Sequence, residues 1–308
     1  MILNLTKNNV ENYDNLKKGS NVTIETDVLN RYLFAGKHAR GELVQLSKTY
    51  QEIIALHDYP QGVQTLLGEL VAATCLLTAT LKFEGEITVQ LQGDGPVGYM
   101  SVNGDHNQKM RGIARLAENT EAEGLTALIG KGTMVITIRP LKGEAYQGVV
   151  ALDQGNLADC LSHYFEVSEQ IPTKIWLFND IENTQVAGSL IQLLPDGDDK
   201  EKQLSDFEHL CQLTHTIKSE EIFSLDAEAL LYRLYHQEEV RLFAPQAVSY
   251  QCSCSEEKCL TAIGQVSPTE LKSIIAEQGC VTMTCDFCLT TYKFDEQKLA
   301  VFINGTQH

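Results

Sequence analysis

The stretch Ile87-Thr88-Val89-Gln90-Leu91-Gln92 decides the fold class that we expect for the first half of the chain. Its apolar residues alternate with polar ones, so Ile87, Val89 and Leu91 share one face, as in a half-buried strand. Four more short segments also have strand patterns: residues 99–102, 134–138, 147–152 and 174–178. Several of them follow one another through turns, which favours antiparallel pairing.

Helical patterns lie among these strands, over residues 64–82, 157–167 and 185–194. Because strands and helices do not alternate in regular strand–helix–strand units, the pattern predicts an α+β fold. We expect residues 1–194 to form an N-terminal, sandwich-like α/β domain with a largely antiparallel sheet. A helical linker and a small C-terminal domain complete the expected architecture.

The composition is that of a globular protein with a large core, since 43% of the 308 residues are apolar and 21% are charged. The 24 basic and 41 acidic residues give a formal charge of −17. An excess of that size repels phosphate and anionic lipid. We therefore expect neither nucleic acid nor a membrane surface as a partner.

The start of the chain, Met1 to Asn8, turns polar at once and lacks the basic and apolar regions of a secretory leader. The most apolar stretch, residues 66–81, contains Glu69 and is followed by Lys82, which favours a buried core helix over a membrane span. We therefore expect a cytoplasmic, reducing compartment, in which cysteines remain thiols or bind metals.

Residues 195–246 are expected to form the linker, which begins with the charged, helix-breaking run Pro195-Asp196-Gly197-Asp198-Asp199. From Asp196 to Glu239, 12 acidic residues stand against 4 basic ones, a local charge of −8. Apolar residues still recur at helical spacing, which indicates short amphipathic helices. They are Leu204, Phe207, Leu210, Cys211, Ile222, Leu225, Ala229, Leu230, Leu231 and Leu234. Such helices are folded while a neighbour covers them and unravel without that support.

Residues 247–308 are cysteine-rich, and we expect them to form the small C-terminal domain. Ser267-Pro268-Thr269-Glu270 is typical of a helix start, and Gly279 of a helix end. Val281–Thr284 and Thr291–Phe294 are predicted to be strands on either side of a turn. About 60 residues with few large apolar side chains need an additional stabilising element, such as a bound metal.

Four cysteines of this domain form two close pairs, Cys252-Ser253-Cys254 and Cys285-Asp286-Phe287-Cys288. Two pairs, each on a turn, suit a tetrahedral zinc ion, and four thiolates would close its coordination shell. The same spacing suits redox-active thiols that lose the metal when they are oxidised to disulfides. Spacing alone leaves a structural zinc site and a redox-active site equally open.

The other five of the nine cysteines are expected to be ordinary thiols. Cys75, Cys160 and Cys211 fall in apolar or amphipathic helical stretches and are predicted to pack in cores. Cys259 and Cys280 are candidates for alternative ligands or a third pair, but a role as buried thiols explains them more simply.

We find no motif of a conventional enzyme and expect none of the corresponding activities. Gly93-Asp94-Gly95-Pro96-Val97-Gly98 has the letters of a dinucleotide-binding loop, but a strand follows where a helix is required. This segment is therefore predicted to be a hairpin turn. Residues 124–131 miss the spacing of a phosphate-binding loop by one position.

The order C-x-C, 30 residues and C-x-x-C near the end of a chain of this size resembles the heat shock protein 33 family (HslO), bacterial redox-regulated holdase chaperones. One departure is Leu289, which directly follows Cys288 at a position where the family usually has glycine. The resemblance covers nearly the whole chain and includes Arg31-Tyr32-Leu33-Phe34, Ala39-Arg40-Gly41-Glu42-Leu43-Val44, Val89-Gln90-Leu91-Gln92-Gly93-Asp94-Gly95-Pro96 and Leu231-Tyr232-Arg233-Leu234-Tyr235-His236.

The resemblance implies a reduced, inactive form with one Zn²⁺ held by Cys252, Cys254, Cys285 and Cys288. It implies that oxidants such as peroxide or hypochlorous acid form the disulfides Cys252–Cys254 and Cys285–Cys288 and release the zinc. The linker then unfolds. The active form, typically a homodimer, binds unfolding client proteins without ATP.

Two other classes of function are alternatives. A zinc-ribbon binding module for nucleic acid or another partner predicts a basic face on the C-terminal domain, which its many acidic residues disfavour. A C-x-x-C thiol–disulfide oxidoreductase predicts that Cys285 and Cys288 open a helix, whereas the sequence predicts a strand after Cys288.

Overall fold

The computed structural model describes residues 3–4, 25–80, 84–195 and 199–304. The chain divides into two compact units, Met1–Tyr250 and Gln251–His308. The whole predicted linker belongs to the first unit. Most of the predicted polar start of the chain, the end of the predicted helix at Lys82, and Asp196 to Asp198 of the linker signal lie outside the described residues.

The described part of the first unit contains thirteen strands and seven helices. Its strands are β1 (Leu3–Asn4), β2 (Val28–Phe34), β3 (Ala39–Leu46), β4 (Gly85–Gly93), β5 (Val97–Asp105), β6 (Lys109–Leu116), β7 (Gly132–Pro140), β8 (Tyr146–Ala151), β9 (Thr173–Asp180), β10 (Gln185–Leu193), β11 (Val240–Leu242), β12 (Gln246–Ala247) and β13 (Ser249–Tyr250). Its helices are α1 (Lys48–Ile54), α2 (Gln61–Thr80), α3 (Leu125–Ile129), α4 (Leu157–Val167), α5 (Lys200–Thr214), α6 (Ser219–Ser224) and α7 (Ala227–Tyr235).

Two sheets form the body of this unit. The first has the order β1-β11-β2-β3-β10-β9, with β12 also paired to β2, and all of its pairs are antiparallel. The second has the order β13-β6-β5-β4-β7-β8 and is antiparallel except for the short parallel pair of β13 with β6. The predicted α+β class and the largely antiparallel pairing are therefore confirmed.

Helix α2 contacts strands of both sheets and supplies much of the core between them. It is the one helix among the described residues that is long and apolar enough to cross a membrane, with a mean hydropathy of 1.4. However, 78% of the 18-residue stretch that has this hydropathy is buried inside the fold. The stretch is therefore a core helix, as its interruption by Glu69 predicted.

The helix predicted over residues 185–194 is wrong, because these residues form strand β10 in the middle of the first sheet. Val186 and Leu190 face the core around α2, whereas Ala187 and Ile191 face the linker helices. A strand that is buried on both faces carries apolar residues at consecutive positions, and this hides the two-residue period of a half-buried strand.

The other predicted elements agree with the structure to within a few residues. The strand pattern that begins at Ile87 lies in β4, and the helix predicted over residues 157–167 is α4. The hairpin turn is confirmed as well, because Gly93 ends β4 and Val97 begins β5. Residues 124–131 contain the five-residue helix α3.

The linker helices α5, α6 and α7 pack on one face of the first sheet. Their buried residues form a second apolar cluster with sheet residues that include Tyr32, Leu43 and Ile191. The predicted apolar stripe is largely confirmed: Leu210, Ile222, Leu230, Leu231 and Leu234 are buried in this cluster. Leu204 departs from it, since its side chain is 46% exposed.

The described part of the second unit contains helices α8 (Glu256–Ile263), α9 (Pro268–Gln278) and α10 (Glu296–Asn304), with strands β14 (Val281–Thr284) and β15 (Thr291–Phe294). Ser267 caps α9 by accepting a hydrogen bond from the Glu270 amide at 3.2 Å, and Gly279 ends the helix at φ +77°. Both boundaries were predicted. The buried apolar residues are few: Ile263, Leu271, Val281, Phe294, Leu299 and Ile303.

Candidate metal centre

A tight turn between two paired strands positions Cys285 and Cys288. Strands β14 and β15 form an antiparallel hairpin in which Thr284 is opposite Thr291. Inside the turn, the Cys285 amide donates to the Thr290 carbonyl at 2.9 Å, and the Leu289 amide donates to the Cys285 carbonyl at 2.8 Å. These bonds fold the chain back on itself, so both thiols of the C-x-x-C pair point to one side of the turn.

Leu289 has a left-handed backbone conformation, with φ +57°. Glycine adopts this conformation without steric cost, whereas the Cβ of a leucine opposes it. This is the position at which the sequence departs from the heat shock protein 33 pattern. The turn keeps its hydrogen bonds with leucine there, and the side chain is 48% exposed.

The other pair, Cys252 and Cys254, lies directly before helix α8. Ser255 caps this helix by accepting a hydrogen bond from the Lys258 amide at 3.2 Å. The ammonium of Lys258 also donates to the carbonyl of Ser253, between the two cysteines, at 2.8 Å. The start of α8 therefore fixes the backbone of the C-x-C pair.

All four thiol sulfurs lie within 4.8 Å of one another, and all four side chains are half-buried. The Cys252 and Cys285 sulfurs are 3.7 Å apart, and the Cys254 and Cys288 sulfurs are 3.4 Å apart. Thiolates about 2.3 Å from a zinc ion at the corners of a tetrahedron would be about 3.8 Å apart. The donor set therefore fits a tetrahedral metal ion. In the part of the chain that is described, no other group of cysteine, histidine or acidic side chains has this arrangement.

Two hydroxyl groups touch the sulfurs. The Tyr292 hydroxyl lies 3.2 Å from the Cys254 sulfur, and the Thr290 hydroxyl lies 3.2 Å from the Cys288 sulfur. Each pair thus has one sulfur in contact with a hydroxyl group. Neither residue was predicted from the sequence; the only signal was position, since Thr290 lies two residues and Tyr292 four residues after Cys288.

The metal-free thiols differ in acidity. Burial raises the pKa of Cys254 to about 12, and burial also raises the pKa of Cys285. Burial acts in the same direction on Cys288, but its hydrogen bonds with Thr290 and with the neighbouring thiols outweigh burial and lower the Cys288 pKa to about 6. A bound cation would take the place of the protons on these four thiols.

The remaining cysteines lie outside this group, as expected. Cys75 and Cys160 are buried in α2 and α4, and burial raises the pKa of both thiols. Cys211 is half-buried in α5, where burial raises its pKa to about 12. Cys259 packs against the small apolar cluster of the second unit, and the Cys280 sulfur lies 3.7 Å from the Thr282 hydroxyl.

The fold and the site together define a class of protein: an α+β unit with an acidic helical segment packed on its sheet, followed by a small unit with four cysteines positioned to bind a metal ion. A family model described as "Hsp33 protein" matches residues 27–295. The chain belongs to the Hsp33 family of chaperones.

Curated relatives extend over almost the same length. The 33 kDa chaperonin of Colwellia psychrerythraea is 69% identical over 286 residues, which are 92% of this chain and 99% of that protein. The 33 kDa chaperonin of Photobacterium profundum is 56% identical over 277 residues, 89% of this chain and 94% of that protein. The crystal structure of a 33 kDa chaperonin (heat shock protein 33 homolog) from Thermotoga maritima superposes with a TM-score of 0.75 at 21% identity, covering 90% of this chain and 98% of that one, and so shares the fold.

Proposed function

We propose that this protein is a redox-regulated, ATP-independent holdase that binds unfolding proteins under oxidative stress. The observation that carries the proposal is the convergence of four thiols in a unit with a small apolar core, in a chain whose acidic linker packs on a sheet. We expect it to act in the cytoplasm, without enzymatic turnover.

The metal of the reduced form is proposed to be one Zn²⁺, held by Cys252, Cys254, Cys285 and Cys288. Zinc is supported by the all-sulfur donor set and by sulfur separations close to those of a tetrahedral thiolate site. When bound, the ion would crosslink two chain segments that lie 30 residues apart. Because the apolar core of this unit is small, that crosslink would supply much of its folding free energy.

Oxidation is proposed to form the disulfides Cys252–Cys254 and Cys285–Cys288. Each pair gives up two electrons to one molecule of peroxide, whose O–O bond breaks and whose oxygens leave as water or hydroxide. All four sulfurs lie within 4.8 Å of one another, so several pairings are within reach of the thiols. Pairing within each motif is supported by the short loop between its two cysteines. Each disulfide can then form whether or not the other pair has been oxidised. A disulfide sulfur is no longer a thiolate ligand, so the metal is released.

The linker is proposed to be the element that responds. It is held to the sheet by an apolar cluster and by polar contacts at its surface, among them Lys37 with Asp206 at 3.0 Å and with Glu238 at 3.2 Å. The three side chains of these ion pairs are half-buried, and the linker helices are expected to open locally before the rest of the first unit unfolds. Strand β13 follows the linker in the chain, and Cys252 lies two residues after the end of this strand. Unfolding of the metal-free unit would therefore begin next to this segment.

Opening of the linker would expose two apolar surfaces. One is the sheet face that contains Tyr32, Phe34 and Leu43, and the other is the buried stripe of the linker helices. Both would bind apolar segments of client proteins. The local charge of −8 would keep the open form soluble, and pairing of two opened chains would give the expected homodimer.

The alternative functions have less support. A thiol–disulfide oxidoreductase needs its C-x-x-C at the start of a helix, whereas here the chain continues as strand β15. A nucleic-acid-binding zinc ribbon needs a basic face, and the second unit has acidic residues that include Glu256, Glu257, Glu270 and Glu277.

The decisive experiment compares the reduced, zinc-loaded chain before and after treatment with peroxide. Free thiols, counted after denaturation, should fall from nine to five as four cysteines pair, and one zinc ion per chain should be released to a chromogenic chelator. Only the oxidised chain should suppress aggregation of a chemically unfolded client, measured by light scattering. A chain that keeps its zinc, or that protects clients equally before and after oxidation, would contradict the proposal. The Cys280→Ser variant serves as a control, since Cys280 is not one of the four clustered thiols.

A further inference from the structure

Tyr292 combines two features that no other side chain at the metal centre shares. Its hydroxyl lies 3.2 Å from the Cys254 sulfur, and its ring packs against the apolar cluster of the second unit. In strand β15, Tyr292 and Phe294 point to the same side because side chains two apart share a face, and Phe294 is fully buried. The ring is therefore held by packing, which fixes the position of its hydroxyl beside the sulfur.

We propose that Tyr292 is a positioning residue of the redox switch: its phenol donates a hydrogen bond to the Cys254 thiolate and thereby slows attack of that sulfur on oxidants. This proposal rests on the proposed redox function and adds to it a residue that sets which sulfur reacts first. Groups that hydrogen-bond to a metal ligand orient it and adjust its electron density.

The chemical step at stake is the first one. A thiolate attacks one oxygen of hydrogen peroxide, the O–O bond breaks and hydroxide leaves, so the sulfur becomes a sulfenic acid after a two-electron oxidation. The second thiolate of the pair then attacks this sulfur, forms the disulfide and expels the hydroxyl group as hydroxide. A phenol O–H that points at the thiolate lone pair stabilises the starting state of the first attack.

Thr290 and Tyr292 differ in how firmly their hydroxyl groups are held beside a sulfur. Thr290 also places a hydroxyl 3.2 Å from a sulfur, that of Cys288, but it lies in the turn itself and is exposed. Its hydroxyl group can rotate toward solvent at little cost. The Tyr292 ring is half-buried in the apolar cluster and has no comparable freedom.

The test is the variant Tyr292→Phe, which keeps the ring and removes only the oxygen. We expect peroxide to release zinc roughly three- to tenfold faster from this variant than from the parent, since only part of the free energy of one charge-assisted hydrogen bond is lost when the sulfur attacks. Sulfenic acids formed early are trapped with a cyclic diketone and assigned by tandem mass spectrometry. The share of the trap on Cys254, relative to Cys252, should rise in the variant, an effect that a purely structural role of the ring would not produce.

Tyr99→Phe is the matched control, because the Tyr99 phenol accepts a hydrogen bond from Gln90 at 2.8 Å in the first unit. An unchanged rate and an unchanged share on Cys254 in Tyr292→Phe would overturn the proposal, as would slower zinc release. If peroxide neither releases zinc from the parent nor forms sulfenic acids that the diketone traps, the proposed redox function fails together with the proposed role of Tyr292.

A second measurement applies when Tyr292→Phe binds zinc more weakly than the parent. The reduced chains are kept saturated by excess zinc and alkylated with iodoacetamide, and modification of Cys254 is followed with time. Faster alkylation in Tyr292→Phe than in the parent supports the proposal, and equal rates overturn it.

Discussion

The side-chain amide of Gln45 donates a hydrogen bond to the backbone carbonyl of Ile222, at 2.6 Å. The same amide nitrogen donates to the Leu225 carbonyl at 2.9 Å. Gln45 lies in strand β3 and is only 3% exposed, whereas both carbonyls belong to the end of the linker helix α6. One buried sheet residue thus pairs two backbone acceptors that the linker would otherwise leave unsatisfied against an apolar surface.

Replacing Gln45 by leucine should loosen the linker without removing apolar contact. The two carbonyls would lose their buried donor, which costs about 1–3 kcal/mol. Hydrogen–deuterium exchange of α6 and α7 should accelerate accordingly, and binding of a hydrophobic dye by the reduced chain should increase.

Gln51→Leu is the control for Gln45→Leu. The Gln51 side chain is exposed, and its amide donates to the Ser47 hydroxyl and the Thr184 carbonyl, neither of which belongs to the linker. Equal exchange of α6 in the two variants would show that Gln45 does not hold the linker.

Replacing Cys285 by serine should abolish zinc binding and unfold the second unit. A hydroxyl group is a poor substitute for a thiolate, and the small apolar cluster of this unit cannot replace the lost binding free energy. Zinc content should fall from one per chain to near zero, and amide signals of residues in β14 and β15 should collapse in nuclear magnetic resonance spectra. Cys280→Ser should keep its zinc. Folded second units in zinc-free Cys285→Ser would refute a stabilising role of the metal.

Replacing Leu289 by glycine should stabilise the turn that holds Cys285 and Cys288. Its backbone has φ +57°, a conformation that costs leucine about 1–2 kcal/mol and glycine almost nothing. The greater freedom of glycine in the unfolded chain offsets part of this gain, so we expect a net stabilisation of about 0.5–1 kcal/mol. The measurement is thermal unfolding of the zinc-loaded chain. Leu289→Ala keeps the Cβ and should bring no gain, so equal stabilisation by alanine and glycine would exclude backbone strain as the cause.

Glu42 should make the first unit less stable as the pH rises. It is 1% exposed in strand β3, and burial raises its pKa to about 7, although Arg40 and Arg31 act in the opposite direction. Since the folded chain holds this proton to a higher pH than the unfolded chain, the stability is fully present below about pH 4.5 and is lost as the pH rises to about 7.

The variant Glu42→Gln removes this titration and should be more stable than the parent at pH 8, by about 2–3 kcal/mol. The gap should shrink at pH 5, as measured by urea unfolding. Comparison with the parent cancels the effect of Glu69, whose pKa burial raises to about 7 as well. The exposed substitution Glu86→Gln controls for the loss of one charge. A gap that is independent of pH would contradict the assignment to Glu42.

Local patterns in the sequence predicted those elements that are buried on one face only. Helix α4 and strands β14 and β15 have the predicted bounds, since each shows a polar face that reveals its period. Strand β10 was missed because α2 covers one of its faces and the linker covers the other. The second cover comes from residues more than 15 positions later in the chain, so no local pattern could have indicated it.

The four cysteines of the candidate metal centre could be predicted from the sequence, but the side chains that contact them could not. The spacing of Cys252, Cys254, Cys285 and Cys288 pointed to the four sulfurs, and the structure brings them together. The roles of Tyr292 and Gln45 depend on contacts with residues 38 and 177 positions away. Such contacts are decided by tertiary packing, which local sequence patterns do not record.

The four sulfurs belong to just two short segments of the second unit, and this has a consequence for the timing of the response. Under the proposed redox function, oxidation of either pair would break the link between the segments, because the remaining pair offers only two of the four sulfurs. The onset of the proposed response would therefore follow the pair that is oxidised first. Its end would follow the pair whose disulfide is reduced last, since the four-thiolate site could not be rebuilt before then.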